Sequence, residues 1–253
     1  MHEQTESAFG AYQPLLLRAA LAGQMGQTET CSGVRIIDGM FVYLDGLPNG
    51  AALAALTGRW QDRLFVPLRA PEAWERALCG LGRPVGRTQR YQMQEMLPAQ
   101  AAQTLPSPVP EGYELRPFDA EAFARRPFGH GRWYRDAAHF AAEGTGAVVW
   151  KDGEIVASAS SYLTFEGHVE LDVSTLDTHR RLGLAWACCA EMLRQCGDRG
   201  LTVHWDAQHE VSRHLAETLG FELLTPYAAY VCGVFVYGCG MRLKLRRPFN
   251  SHD

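Results

Sequence analysis

Val173 to Ala185, read as VSTLDTHRRLGLA, is the stretch that decides the fold. It leaves a β-strand, passes through a polar loop and opens an apolar helix at Leu184. A helix N-terminus carries unpaired backbone N–H groups and about half a positive charge, which suits a diphosphate. Gly183 has no side chain, so phosphate oxygens can approach the main chain there. Ala185 keeps the next turn small, and Arg180 or Arg181 can add cationic donors. The plain alternative for Arg180 to Ala185 is a helix start with a chance glycine and surface arginines.

The surroundings favour a mixed sheet. Tyr113 to Pro117 reads as a strand and Arg132 to Glu143 as a helix. Ala147 to Trp150 and Ile155 to Leu163 read as a hairpin, because Asp152-Gly153 supplies the positive φ of a tight turn. Val169 to Ser174 alternates as a fourth strand. Leu184 to Gln195 is a helix, Leu201 to Trp205 a strand, Val211 to Leu219 a helix stopped by Gly220, and Phe221 to Leu224 a last strand. Strands and helices in this order predict an α/β fold of the α+β kind, a mixed sheet flanked by helices.

Upstream, Tyr12 to Ala22 reads as a helix and Val34 to Tyr43 as strand around a turn at Gly39. Ala51 to Arg59 looks helical, Leu64 to Leu68 a short strand, Pro71 to Leu81 a helix with Pro in its first turn, and Gln89 to Met96 a strand. This half is also α/β, but it offers no phosphate loop and no paired catalytic residues. Pro106, Pro108 and Pro110 can continue neither helix nor central strand, so a stiff linker is expected over residues 106–112. The expected domains are 1–105 and 113–253.

Composition excludes several classes. The 253 residues carry a net charge of −4 and are 47% apolar and 21% charged, enough apolar material for a core and no basic excess for nucleic acid. The apolar runs are broken well before ~18 residues, so no membrane span is expected. The start MHEQTESAFG carries no secretory pattern, and seven cysteines without a CxxC pair read as free thiols of a cytoplasmic protein. His204, His209 and His214 suggest a metal, but a five-residue gap suits no single helix face and no carboxylate completes a set, so no metal is expected. Cys188 and Cys189 fall on the Leu184 helix and are read as core.

Arg180, Gly183 and Ala185 stand at the positions of R/Q-x-x-G-x-G/A, and the stretch resembles motif A of the GNAT superfamily of N-acyltransferases. Trp205 to Tyr227, WDAQHEVSRHLAETLGFELLTPY, resembles the second motif of that family. The resemblance spans Tyr113 to Tyr230. The V-x-T, Trp-Asp and S-x-x-L-A elements look most like the zwittermicin-resistance-type acetyltransferases, in which the N-terminal half is similar to a degenerate GNAT-like domain. Trp74 to Met93 is compatible with that. The resemblance implies a splayed sheet and transfer of an acetyl group from acetyl-CoA to an amine. Val173, Ser174 and Thr175 match the positions that pair with pantetheine. Arg180 and the backbone N–H groups of Arg181, Leu182, Gly183, Leu184 and Ala185 match the diphosphate loop, and Ser212 the neighbourhood of the pantetheine arm or a helix cap. Arg181-Leu182 departs from the common form, in which glycine follows the first arginine.

An amine of pKa ~10 must lose a proton before it attacks. Glu170 and Asp172 lie two apart on the fourth strand, with His168 in the same row, so one sheet face is acidic. That face is either solvated or a pocket that attracts a cationic amine and takes its proton. The resemblance implies a proton donor for the departing thiolate at Tyr227, with Tyr230 as rival, and an oxyanion donor at the Val173 N–H. Asp206 suits either loop organisation or substrate contact. The partner implied is a small-molecule amine, or a peptide amine in a variant of the same chemistry; the other class is a binding module that holds acyl-CoA without catalysis. Arg125 to Arg135 suits a substrate wall or a solvated loop, and Ala228 to Gly240 reads as a strand pair, used for sheet extension or a homodimer interface.

Overall fold

Asp152 and Gly153 both take positive φ, 50° and 80°, the left-handed pair that lets two residues close a hairpin. They join β7 (Gly146–Lys151) to β8 (Glu154–Phe165), the centre of a five-stranded sheet. The computed structural model describes residues 7–57, 63–82, 84–106, 108–126 and 133–232. These divide into two units: residues up to Arg90 with those from Thr225 onward, and Tyr91–Leu224.

In the first unit, β1 (Gln27–Cys31), β2 (Val34–Asp38) and β3 (Val42–Asp45) form an antiparallel meander. β4 (Leu64–Pro67) then adds parallel to β3, and β12 (Leu223–Cys232) adds antiparallel to β4, with Tyr230 opposite Phe65. In strand order β12 lies between β4 and β5 (Val85–Met93). The helices α1 (Leu15–Leu21), α2 (Gly50–Leu56) and α3 (Pro71–Cys79) accompany this sheet. Asn49 caps α2 by accepting the Ala52 N–H, and Pro71 starts α3, where a missing N–H removes nothing. Trp74 and Leu78 of α3 bury themselves against Val34, Ile36, Leu44 and Phe65.

In the second unit the strand order is β10-β9-β8-β7-β6, with β6 at Glu114–Pro117, β9 at His168–Thr175 and β10 at Thr202–His204. β10 runs parallel to β9 and the remaining neighbours are antiparallel. Helix α7 (Leu184–Asp198) covers one face, and the short α4 (Pro98–Ala101) joins the same cluster through the buried Ala101. Cys188, Met192 and Cys196, four apart, point with Cys189 and Leu193 into Val149, Val156, Ala159, Val169 and Leu171. The other face packs Val148, Trp150 and Ile155 against Phe118, Phe123, Tyr134 and Phe140 from the region of α5 (Ala120–Arg125) and α6 (Ala137–Glu143). Both sheets are mixed and flanked by helices, the α/β architecture expected.

Several boundaries differ from expectation. The proline-bearing segment 106–112 lies inside the second unit, and the residues from Thr225 join the first because β12 completes its sheet. β12 runs unbroken from Leu223 to Cys232, so the two strands expected at 221–224 and from 228 are one. β1 was not expected, since QTETC lacks apolar alternation; it forms as the exposed partner of β2 around a Ser32-Gly33 turn with φ 48° and 83°. α6 begins at Ala137, where Asp136 accepts the His139 N–H as a cap. Residues 127–132 of the Arg125 to Arg135 stretch, and 233–240 of the expected strand pair, lie outside the described residues. Among the described residues no helix is long and apolar enough to cross a membrane.

Candidate functional site

β10 follows β9 for only three residues, from Thr202 opposite His168 to His204 opposite Glu170. The chain then turns away: β11 (Asp206–Ala207) pairs with Gln92 and Tyr91 instead. The two strands therefore part just beyond Glu170, leaving a fork whose one arm is Leu171 to Thr175.

The edge that this arm presents is fixed by its other neighbour. Leu176 N–H donates to the Val156 carbonyl at 2.9 Å, and β8–β9 partners run Ser158↔Ser174 and Ala159↔Val173. Alternation along an antiparallel ladder turns the N–H and C=O of Val173 and Thr175 to the opposite edge, toward the fork. Ser174 lies opposite Ser158, whose buried hydroxyl has no hydrogen-bond partner among the described residues; the buried Thr175 hydroxyl likewise has none.

Glu170 stands at the crotch of the fork. Its side chain is 4% exposed, and its Oε1 accepts the backbone N–H of Asp206 at 2.9 Å. A buried carboxylate is costly without such donors. The bond spans the two arms at the point where they separate. Asp172, two residues on, is half-buried opposite the buried Ser160. A β-bulge between Ser161 and Leu163 bends β8 beside them.

Beyond Thr175 the chain makes a single 3-10 turn, Asp177–His179, in which Arg180 pairs with Asp177 at 2.7 Å and His179 Nδ1 meets the Tyr113 hydroxyl at 3.0 Å. Arg181 and Gly183 then take left-handed φ of 67° and 76°. Arg180 to Gly183 are exposed, Leu184 is buried at 2% and Ala185 is half-buried. No side chain caps α7, and Ala187 N–H to the Gly183 carbonyl is the first bond of its opening turn. The N–H groups of Leu184, Ala185 and Trp186 precede that bond and lie at the positive end of a 15-residue helix. A Cβ on Gly183 would meet nothing within 4 Å, so the space above the helix start is open.

Ser212 belongs to the other side of the fork, on α8 (Glu210–Thr218). The cap of that helix is His209, whose Nδ1 accepts the Ser212 N–H at 3.1 Å, while the Ser212 hydroxyl accepts the buried Trp205 indole N–H at 3.2 Å. Asp206, open to two readings from sequence, supplies its backbone to Glu170. Tyr227 and Tyr230 fall in the first unit. The Tyr227 hydroxyl accepts from Arg90 Nε at 3.1 Å beneath the ring of Phe9, and the Tyr230 hydroxyl donates to the Pro71 carbonyl at 3.1 Å. Burial and then the Glu75 carboxylate push the Tyr230 phenol up to about 12. Cys188 and Cys189 are fully buried, and burial raises both thiols well above the ordinary range, as core packing requires.

A model of the GNAT acetyltransferase family matches residues 8–230. The chain belongs to the GNAT acetyltransferase family. The solved structure of a GCN5-related N-acetyltransferase-like protein from Streptococcus suis 89/1591 is similar at 27% identity and a TM-score of 0.73, covering 89% of this GNAT chain and 95% of that one. A GCN5-related N-acetyltransferase from Kribbella flavida shares the fold at 19% identity and a TM-score of 0.52, over 88% and 96% of the two chains. An uncharacterized N-acetyltransferase of Bacillus subtilis (strain 168), YdfB, is 27% identical over 131 residues, 49% of this chain and 50% of that protein. The GNAT chain thus spans about half the length of this curated relative.

In this GNAT chain the second unit brings together Glu170, Asp172, Val173 to Thr175, the loop Arg180 to Ala185, and Ser212. Sequence reasoning missed the Asp206 backbone bond to Glu170 and the approach of Glu95 and His168 to His204, whose donor atoms lie within 4.8 Å of one another. The signal for Glu95 was its place two residues before Leu97-Pro98, at the end of a strand, but nothing there named its partner.

Proposed function

We propose that this chain moves an acetyl group from acetyl-CoA directly to a primary amine of a small or medium-sized molecule, as a zwittermicin-resistance-type member of its family. The observation that carries this reading is the fork: the outward amides of Val173 and Thr175 lead to the uncapped, glycine-opened start of α7. A pantetheine arm is a chain of amides that an unpaired strand edge can bind, and a diphosphate suits the N–H groups at Leu184 and Ala185. The buried Thr175 hydroxyl, with no hydrogen-bond partner among the described residues, fits a polar occupant beside this edge. Acetyl-CoA supplies the acyl group.

The chain's own groups do the rest. The acidic face of Glu170 and Asp172 attracts a protonated amine and receives its proton, directly or through water. The Val173 N–H, aimed into the fork before any ligand arrives, meets the carbonyl oxygen as it gathers charge. Tyr227 is the proposed donor to the departing thiolate. The free cysteines of the described residues accord with a reducing cytoplasm.

Calorimetric titration with acetyl-CoA tests the cofactor site; saturable binding is expected, and none at millimolar concentration would refute the reading. Release of free thiol against a panel of small amines and peptides then separates a small-molecule enzyme from a peptide acetyltransferase. Binding without release from any acceptor would leave an acyl-CoA-binding module.

A further inference from the structure

β10 is held between two neighbours, and both bring donor atoms to the same place. On one side Met96 bridges Val203, with N–H to carbonyl bonds of 2.8 and 2.9 Å in both directions, which sets Glu95 opposite His204. On the other side β9 sets His168 opposite Thr202, one step along the same face from His204. Val169, Val203 and Met96 point the other way, into the core beneath α7. The geometry leaves His168 Nδ1 at 2.8 Å from His204 Nε2, and a Glu95 carboxylate oxygen at 3.6 Å from that same Nε2.

Two imidazole nitrogens and a carboxylate oxygen are all lone-pair donors, and they converge on one point. With both rings neutral, a single proton lies between His168 and His204, and the carboxylate is a third acceptor facing it. A cation satisfies all three lone pairs at once, each imidazole keeping its proton on its other nitrogen. We propose that Glu95, His168 and His204 form a site for one divalent transition-metal ion of the zinc, cobalt or nickel type. Imidazole with one carboxylate suits these ions, whereas magnesium and calcium want a shell of oxygens. Two nitrogens on a tetrahedral zinc stand about 3.3 Å apart, so the rings need to separate by only ~0.5 Å.

The setting matches such a site. His204 is fully buried and fixes one ligand, while the half-exposed His168 and the Glu95 side chain, 40% exposed, can adjust and leave a solvent side for a water ligand. The ion would tie three adjacent strand segments together at the closed end of the fork, with Glu170 in register beside His204. It would be a clamp on the fork rather than a reactant.

The test needs no acetyl-CoA and is independent of the proposed activity. The full chain, stripped with a chelator, is titrated with Co2+ and followed by visible absorption, then with Zn2+ in competition. One Co2+ per chain with the strong bands of low-coordinate cobalt is expected, displaced by one Zn2+. Glu95→Gln and His168→Gln should each weaken binding by at least ~10-fold, the scale that even outer-shell changes reach. His214→Gln, an exposed histidine outside the cluster, should leave binding unchanged. Should His168→Gln fail to fold by circular dichroism, Glu95→Gln carries the test alone, since its side chain stands at the surface. No saturable binding, or binding indifferent to Glu95→Gln, would mean an adventitious ion only and overturn the site.

Discussion

The carboxylate of Glu170 reaches across the strand fork and accepts the N–H of Asp206 at 2.9 Å. One side chain therefore holds the arms of the fork at their junction, and in the proposed reaction it would also receive the proton of the amine. Glu170→Gln separates the two roles, because its amide oxygen can still accept the same N–H. The variant should melt within ~1.5 kcal/mol of the parent, the range of a single hydrogen bond. Turnover should fall by about 100-fold or more, as for loss of a general base. An unchanged pH–rate profile would move the base role to Asp172 or to water.

Arg181 holds φ at 67°, a conformation that costs a side-chain-bearing residue roughly 1–2 kcal/mol and glycine nothing. Arg181→Gly should stabilise the fold by about 0.5–1 kcal/mol, the entropy of the freer unfolded chain offsetting part of the gain. Acetyl-CoA affinity should fall with the lost guanidinium. Thermal melting and calorimetry on the same sample check both signs, and a variant weakened in both would remove the account of this loop.

Gly183 has the opposite balance. Its added Cβ meets nothing, yet φ is 76°. Gly183→Ala should destabilise by about 1 kcal/mol through the backbone alone. Gly183→Trp should also fill the open space and abolish cofactor binding. Calorimetry that finds acetyl-CoA still bound by the tryptophan variant would place the diphosphate elsewhere.

His209 caps α8 with an imidazole nitrogen instead of the usual oxygen. Removing it in His209→Ala should lower stability by about 1 kcal/mol, and His209→Asp should restore it, because the carboxylate accepts the same N–H and suits the helix dipole. Urea unfolding of the three proteins gives the comparison.

The raised Tyr230 phenol makes a prediction in alkali. The folded protein keeps this proton more tightly than the unfolded chain, so its contribution is complete below pH ~10 and is lost as pH rises through about 12. Tyr230→Phe cannot ionise there. The stability difference between parent and variant should shrink steadily across that window, and a constant difference would show that the phenol is not held.

Much of this was legible from periodicity and punctuation. The Asp152-Gly153 turn, the glycine after α8 and the strand at β9 depend on neighbours close in sequence, and each appears where expected. β1 was not legible because its polar residues gain their place only by pairing with β2. The early end of β10 depends on a partner 114 residues upstream, the Gln92 that takes Asp206, so no local pattern marks it. The same long-range pairing hid Glu95 beside His204. Within the candidate site the place of the loop Arg180 to Ala185 at the start of α7 could be read, because a glycine before an apolar helical run marks a helix start. The roles of Ser212 and Asp206 could not, because each depends on which atom faces which.

The insertion of β12 between β4 and β5 has a consequence for the order of synthesis. When the ribosome has made residue 90, the first sheet still has a gap at its middle, and the strand that fills it comes only after the whole of Tyr91–Leu224. The unit that begins first is therefore the one that finishes last. A fragment ending at Arg90 would present two strand edges waiting for a third, and a peptide of Leu223–Cys232 is the piece that should complete it.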